Sequence, residues 1–550
     1  MLQGSRYKSM AKATLCRLCR LLIFVSELCS LTVLLPSYTG WCMYRVPSGA
    51  TQGNSADERA ERARQLAQSG NLELAEEELR KVVALQPDNS EFLEELGTIL
   101  AMEKKLVEST SFFERALRVD PGALAARRYL AANLWQLRRY AEARQNLQVL
   151  LRAKPDDPQA LLLLGMVSEN TADYATAAKT LASVPALVRT QPESIAALAR
   201  SYYHIGEAAK GRLWLKELVD HPAGTPAVLL GAQIADEMQD YETAKTLLLA
   251  LPSSLSDPVT PKYRLALVDF HAKQFAESEK LVQQLLDAGH ESGEIYRLLG
   301  WCRQEQHHHQ DAVRAFQEAI RLEPTNEASY LDLGRILLAE RRLVPALELT
   351  KRTVNAFPDS SRAFVLQGSI ELAASLFTDA VDSFSHALQL DPAGTEASIG
   401  LARAQFGSGM TQQAKVTLEQ GIAKFPQKAL LQLELAQLLL KEAEAGDQGA
   451  ETKAEELLKS ALVLDETLSE AHYQLGELAL GRSQAQRALF HLEKAAKLDP
   501  TSAKIRFALS RAFRRLGKNK EAAEQSALYD KLKEQETSRG ADATPSSNEE

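Results

Sequence analysis

The chain has 550 residues, a net charge of −8, 45% hydrophobic residues and 25% charged residues. That is ordinary for a water-soluble fold and gives no case for a nucleic-acid binder, which usually needs a basic face. Length alone suggests three or four domains, but a repeated pattern in the sequence replaces that expectation with one elongated repeat array.

The N-terminus comes first. Arg6, Lys8, Lys12, Arg17 and Arg20 precede an apolar run from Leu21 to Leu35. A basic start followed by a short apolar core is the layout of an export signal. Glu27 interrupts the run, the basic start is long, and Ser37 and Thr39 are the nearest small pair for cleavage. Residues 1–43 are therefore read as a targeting or membrane-anchor segment and 44–55 as a linker. An uncleaved anchor would place the following residues outside the cytoplasm, because positive charge stays inside. A mitochondrial-type presequence, or a cytoplasmic chain with a misassigned start, is the alternative. Four of the five cysteines (Cys16, Cys19, Cys29, Cys42) lie here; Cys16-x-x-Cys19 lacks the second pair that a zinc site needs.

From Ala56 onward a proline recurs every 34 residues, at Pro87, Pro121 and Pro155 and again at Pro324, Pro358, Pro392 and Pro426. Other residues repeat with it. One copy has Tyr296, Leu299, Gly300, Ala312, Phe316, Ala319 and Pro324; the next has Tyr330, Leu333, Gly334, Ala346 and Pro358. Apolar residues spaced by three and four in each half predict two helices per unit. Small residues (Gly300 with Ala312, Gly334 with Ala346) predict a close helix crossing, and the proline ends the second helix. Pro345 falls in the expected first turn of a second helix, where its missing N–H costs nothing.

This pattern resembles the tetratricopeptide repeat family, whose signature is W-x2-L-G-x2-Y, A-x3-F and P. The resemblance implies an all-α, right-handed solenoid of about fourteen helix-turn-helix units over residues 56–533. Copies between Pro155 and Pro324 are degenerate, marked by Gly165, Tyr174 and Ala177, by Ala199 and Gly206, and by Tyr241 and Ala244. Between Pro426 and Pro500 six residues exceed two periods, and a longer turn within Glu444–Thr452 is expected to hold them. Residues 534–550, with five acids and one arginine, are expected to form a disordered tail.

Catalytic signatures are not found: there is no phosphate-binding G-x-x-x-x-G-K-[ST], no H-E-x-x-H and no G-x-S-x-G. No cofactor is expected. His307, His308 and His309 could attract a metal, but adjacent residues on a turn converge poorly on one ion. In the family the first helix of each unit lines an inner groove, and the resemblance puts Tyr129, Trp135, Tyr203, Tyr263, Phe270, Trp301, Phe406, Tyr473 and Phe507 on or near it. Aromatic residues anchor binding surfaces, although some of these rings are expected to pack between units instead. Arg200, Arg335, Arg403 and Arg511 share one equivalent position, as a basic stripe for an acidic peptide or as partners of nearby acids. The lysine and asparagine set with which some family members grip a chaperone's C-terminal carboxylate is not found. The reading is a non-enzymatic scaffold for a protein or peptide partner; the alternative is an enzyme with an unrecognised site in Gln159–Gly289.

Overall fold

A computed structural model describes residues 55–252, 257–444 and 448–542. The expected targeting segment lies outside the described residues, as does nearly all of the linker. Every element among the described residues is helical, and none is long and apolar enough to cross a membrane. The chain divides into two compact units, which among the described residues are 55–290 and 291–542.

Each unit is a run of helix pairs, from Ala56–Gln68 with Leu72–Leu85 to Ala503–Arg515 with Asn519–Asp542, fourteen pairs in all among the described residues. A regular pair has a first helix of 13 residues (Gly293–Glu305) and a second of 14 (His309–Leu322). The turn between them is held by a hydrogen-bond pattern that recurs along the chain. The Lys104 N–H donates to the Ala101 carbonyl and the Lys105 N–H to Leu100; His307 and His308 do the same to Gln304 and Arg303. This pattern needs one residue with left-handed backbone. Glycine supplies it at Gly70, Gly206, Gly409 and Gly517, whereas Lys104, Ala172 and His307 adopt it at φ of 64°, 59° and 65°.

The close crossing within each pair is real, and its detail depends on three positions. Where a serine replaces the second-helix alanine, its hydroxyl donates to the facing first-helix carbonyl: Ser109 to Gly97 at 2.6 Å, Ser278 to Ala266 at 2.7 Å. Four residues further along the second helix, an aromatic ring closes over the glycine. A Cβ added at Gly300 would lie 2.6 Å from the Phe316 ring, and one at Gly368 would lie 2.9 Å from Phe384. Phe113, Phe316 and Phe384 are fully buried. The pair from Glu327–Ala339 and Leu343–Ala356 has Thr350 at the phenylalanine place, and Leu366 of the next first helix approaches Gly334 instead.

The degenerate middle keeps the architecture with shorter second helices. Tyr174–Ala182, Ala208–Lys216 and Tyr241–Leu249 have nine residues each. Pro185, Pro222 and Pro252 follow their ends within a few residues, and proline drives the preceding residue out of helical geometry. The six extra residues do not form a longer turn. They lengthen both helices of one pair, to 16 residues in Ala429–Glu444 and 17 in Gln448–Leu464. Alanine, glutamate and lysine dominate the end of the first of these, and all three favour helix. The final helix continues to Asp542, past the expected tail boundary at Lys533; residues 543–550 lie outside the described residues.

Gly334→Leu tests this packing. A Cβ there would sit 2.5 Å from Leu366 Cδ2, and overpacking of this kind costs about 1–3 kcal/mol. Thermal melting should show the loss; an unchanged transition would refute the close contact between Gly334 and Leu366 of the next repeat.

Candidate functional site

The first helices recur with one orientation in each pair, so equivalent positions line up along successive units. The rings placed there by the sequence divide into three groups. Trp301 belongs to the core: it is 7% exposed, lies edge-to-face on Phe316 with centroids 5.5 Å apart, and donates from Nε1 to Asp332 Oδ2 at 3.2 Å. The same carboxylate oxygen accepts from Arg297 Nε at 3.0 Å, and both ion-pair partners are buried. The indole therefore helps to close a buried charge pair between two successive repeats, and it presents little surface to a partner.

A second group is half-buried. Tyr129 stacks on Phe113 at 5.7 Å, with the Arg128 guanidinium 5.5 Å from its ring. Trp135 touches the hydrophobic clusters on both sides of it. Tyr203 donates to Asp240 Oδ2 at 2.8 Å; burial and that carboxylate raise its phenol pKa. Phe270 lies 5.4 Å from Phe275, and Tyr263 and Arg335 are half-buried on their helices.

The third group carries a cation against the ring. Lys441 sits 4.5 Å from the centroid of Phe406 and Lys504 4.8 Å from that of Tyr473. Burial, then Glu477 and Glu470, push the Tyr473 phenol up to about 12. Phe507 is the most open, at 48% exposure, with Tyr529 behind it and Arg511 5.8 Å away.

The arginines at the shared position do not make a stripe of free cations. Arg200 pairs with Glu169, Arg403 with Glu434, and Arg511 with Glu477 at 3.0 Å. This is the second of the two readings open from the sequence; the particular acids were not named there, although a pattern for them exists. The paired residues are 31 or 34 positions apart, close to the repeat length, so each pair bridges adjacent units. Arg297–Asp332 and Glu327–Arg362, both 35 apart, and Glu470–Lys504, 34 apart, follow the same rule.

The adjacent histidines do not converge. His307 occupies the left-handed turn position, while His309 Nδ1 faces Gln304 Oε1 at 3.0 Å and Glu340 Oε1 at 3.2 Å. Among the described residues no three potential ligands gather to hold a metal ion. A different pair meets unannounced by any motif: His472 and His491, Nδ1 to Nδ1 at 3.1 Å with ring centroids 5.4 Å apart. Those two distances set the nitrogens nearly head-on, an N–H···N hydrogen bond rather than a chelate.

Antiparallel helix pairs recurring along each unit, many closed over a glycine by a side chain of the second helix or of the next repeat, define a helical-repeat protein. A family model described as Tetratricopeptide repeat matches residues 100–167, 304–370 and 371–438, and a second of the same description matches 61–123 and 473–533. The chain belongs to the tetratricopeptide repeat family. It is 26% identical over 290 residues to TPR repeat-containing protein YpiA of Bacillus subtilis (strain 168), covering 52% of this chain and 66% of that one. It is also 26% identical over 201 residues to Protein O-mannosyl-transferase TMTC1 of Mus musculus, covering 36% of this chain and 21% of that one. The matched stretch spans less than two thirds of the length of either relative. Among solved structures, yeast Tom70 aligns at 15% identity with a TM-score of 0.43 over 76% of this chain and 94% of that one. The Cut9–Hcn1 complex of the APC/C aligns at 12% identity with a TM-score of 0.35, over 84% and 96%.

Two predictions follow from these contacts. Trp301→Ala should destabilise by about 3 kcal/mol or more, as loss of a buried ring does, and a melting temperature equal to the parent's would contradict its place in the core. The histidine pair should make stability depend on pH. Burial first, and then His472 with Arg487 and Lys494, hold His491 down to about 4, and burial with Lys494 lowers His472; Glu455 and Glu466 act the other way. Both folded values lie below the ordinary 6.5, so the unfolded chain binds more protons. Their contribution is complete above pH 6.5 and is lost as pH falls towards about 4. The denaturation midpoint of His491→Gln should fall less steeply over that range than the parent's; parallel profiles would exclude the pair as the cause.

Proposed function

We propose that the chain is a non-enzymatic scaffold that holds a protein or peptide partner along the first-helix face. The observation that carries this reading is the recurrence of partly exposed rings on first helices, with Tyr473 and Phe507 at one repeat position on adjoining first helices and Phe406 nearby in one unit, and Trp135 and Tyr203 at another repeat position, with Tyr129, in the other. Helical-repeat stacks bind through extended surfaces of this kind, each unit contributing a part. The region suspected of hiding an enzyme, Gln159–Gly289, is built of the same helix pairs, which supports the scaffold reading over the catalytic one. The likeness to an O-mannosyl-transferase is confined to about a fifth of that protein's length and motivates no transfer step here. The basic start and apolar run of residues 1–43 support export or anchoring, with the repeats outside the cytoplasm.

Alanine substitution tests the face. With a partner captured by the full chain, Phe406→Ala and Tyr473→Ala should each weaken binding by about 1–2 kcal/mol at a temperature where melting shows both variants still folded. A partner indifferent to substitutions on several successive first helices would refute this surface. For localisation, a reporter fused after residue 56 should reach a membrane or cross it; one that stays wholly soluble in the cytoplasm refutes the targeting reading.

A further inference from the structure

The pair Glu327–Ala339 and Leu343–Ala356 departs from its neighbours. In the flanking pairs a phenylalanine of the second helix, Phe316 or Phe384, closes on the glycine of the first. Here that place holds Thr350, whose hydroxyl turns back on its own helix and donates to the Leu347 carbonyl at 2.9 Å. The three atoms nearest a Cβ added at Gly334 all belong to Leu366 of the next repeat, and none to the second helix of the same pair. Without the ring, the second helix brings less bulk to its own pair, whereas protein interiors usually leave few voids larger than a water molecule.

A cavity of about 420 Å³ lies at this pair, between its two helices and the preceding second helix, His309–Leu322. Its floor is aliphatic and buried: Val313 and Ile320 come from the preceding helix, Leu333 and Leu337 from the first helix of the pair, and Leu349 from the second. Its rim is charged. Arg321, Arg342 and Arg352 line it together with one acid, Glu348. Arg321 is held by Glu318 at 2.7 Å, and Arg342 lies 3.9 Å from Glu340. Arg352 is exposed and forms no ion pair or hydrogen bond among the described residues.

We propose that this cleft binds a small amphipathic anion, a carboxylate on a medium-length aliphatic chain. The Arg352 guanidinium offers paired N–H donors that match a carboxylate. Arg321 and Arg342 keep the rim positive in spite of Glu348. The aliphatic floor takes the chain out of water, which is favourable in proportion to the area buried. The volume suits the class: 420 Å³ at about 30 Å³ per water-sized group holds roughly fourteen non-hydrogen atoms, enough for decanoate. A sugar or a nucleotide fits less well, because it would set polar groups without partners against the floor. The cleft reaches the second helices rather than the first-helix face, so the proposal goes beyond the scaffold reading and does not depend on it.

Isothermal titration of the full chain with decanoate tests this. The parent should show one saturable site, while acetate, which lacks the chain, and decyltrimethylammonium, which reverses the charge, should bind far more weakly. Arg352→Gln should lose about tenfold in affinity, the usual scale for a hydrogen bond to a charged group. Gln317 is exposed and also lines the cleft, so Gln317→Trp should set an indole across it and abolish binding. Both variants should melt like the parent, since both substituted side chains are exposed; if Gln317→Trp melts lower, Arg352→Gln decides alone. The proposal is overturned if the parent does not bind decanoate, if Arg352→Gln binds it as the parent does, or if decyltrimethylammonium binds as tightly. None of these results touches the first-helix face, whose own test rests on Phe406 and Tyr473.

Discussion

Everything in this molecule depends on how closely the two helices of a pair can approach. Gly97, Gly300 and Gly368 leave a notch that a ring of the second helix fills, and Ser109 and Ser278 show the backbones within hydroxyl reach of each other. Once that distance is set, the second helix presents its remaining apolar side chains to the following repeat. The stack then propagates by nearest-neighbour contact. The variation among pairs is informative: Leu366 substitutes for the missing phenylalanine at Gly334 by crossing from the next repeat. The notch has to be filled, but the residue that fills it can come from either side.

Superimposed on this apolar register is an electrostatic one. Arg200–Glu169, Arg297–Asp332, Arg403–Glu434 and Arg511–Glu477 each join residues about one repeat apart. The exposed members of this set add little stability, as surface pairs do. Arg297–Asp332 is different, because both groups are buried and Trp301 shares the carboxylate. There the ion pair fixes which residue faces which across the joint.

The helix pairs, their number and the close crossing were legible in the sequence, because glycine, alanine, phenylalanine and proline recur at fixed offsets for steric reasons. The burial of individual groove residues was harder to read. Trp301 sits at the position that carries an arginine in several sister repeats, and its fate depends on Asp332, 31 residues away. Tyr473 and Phe406 owe their cationic covers to Lys504 and Lys441 in the next repeat. The left-handed turns were hidden for another reason. Lysine, arginine, serine and histidine hold most of these places, and nothing in a lysine announces positive φ. The six extra residues were located correctly but given to the wrong element, since helix-favouring residues extended both helices rather than the turn.

The near-period spacing of the ion pairs bears on how such an array can change by loss or duplication. A deletion of 34 residues spanning one repeat preserves the helical phase, and by shape alone it would pass unnoticed. Cut out between Arg297 and Leu366, however, it would bring Leu366 to the place of Asp332, one repeat earlier in the same position. The buried guanidinium would then face a leucine, and an uncompensated buried charge costs several kcal/mol. The repeats are thus interchangeable in outline but individually keyed to their neighbours, so the order in which they stand is itself part of what the sequence encodes.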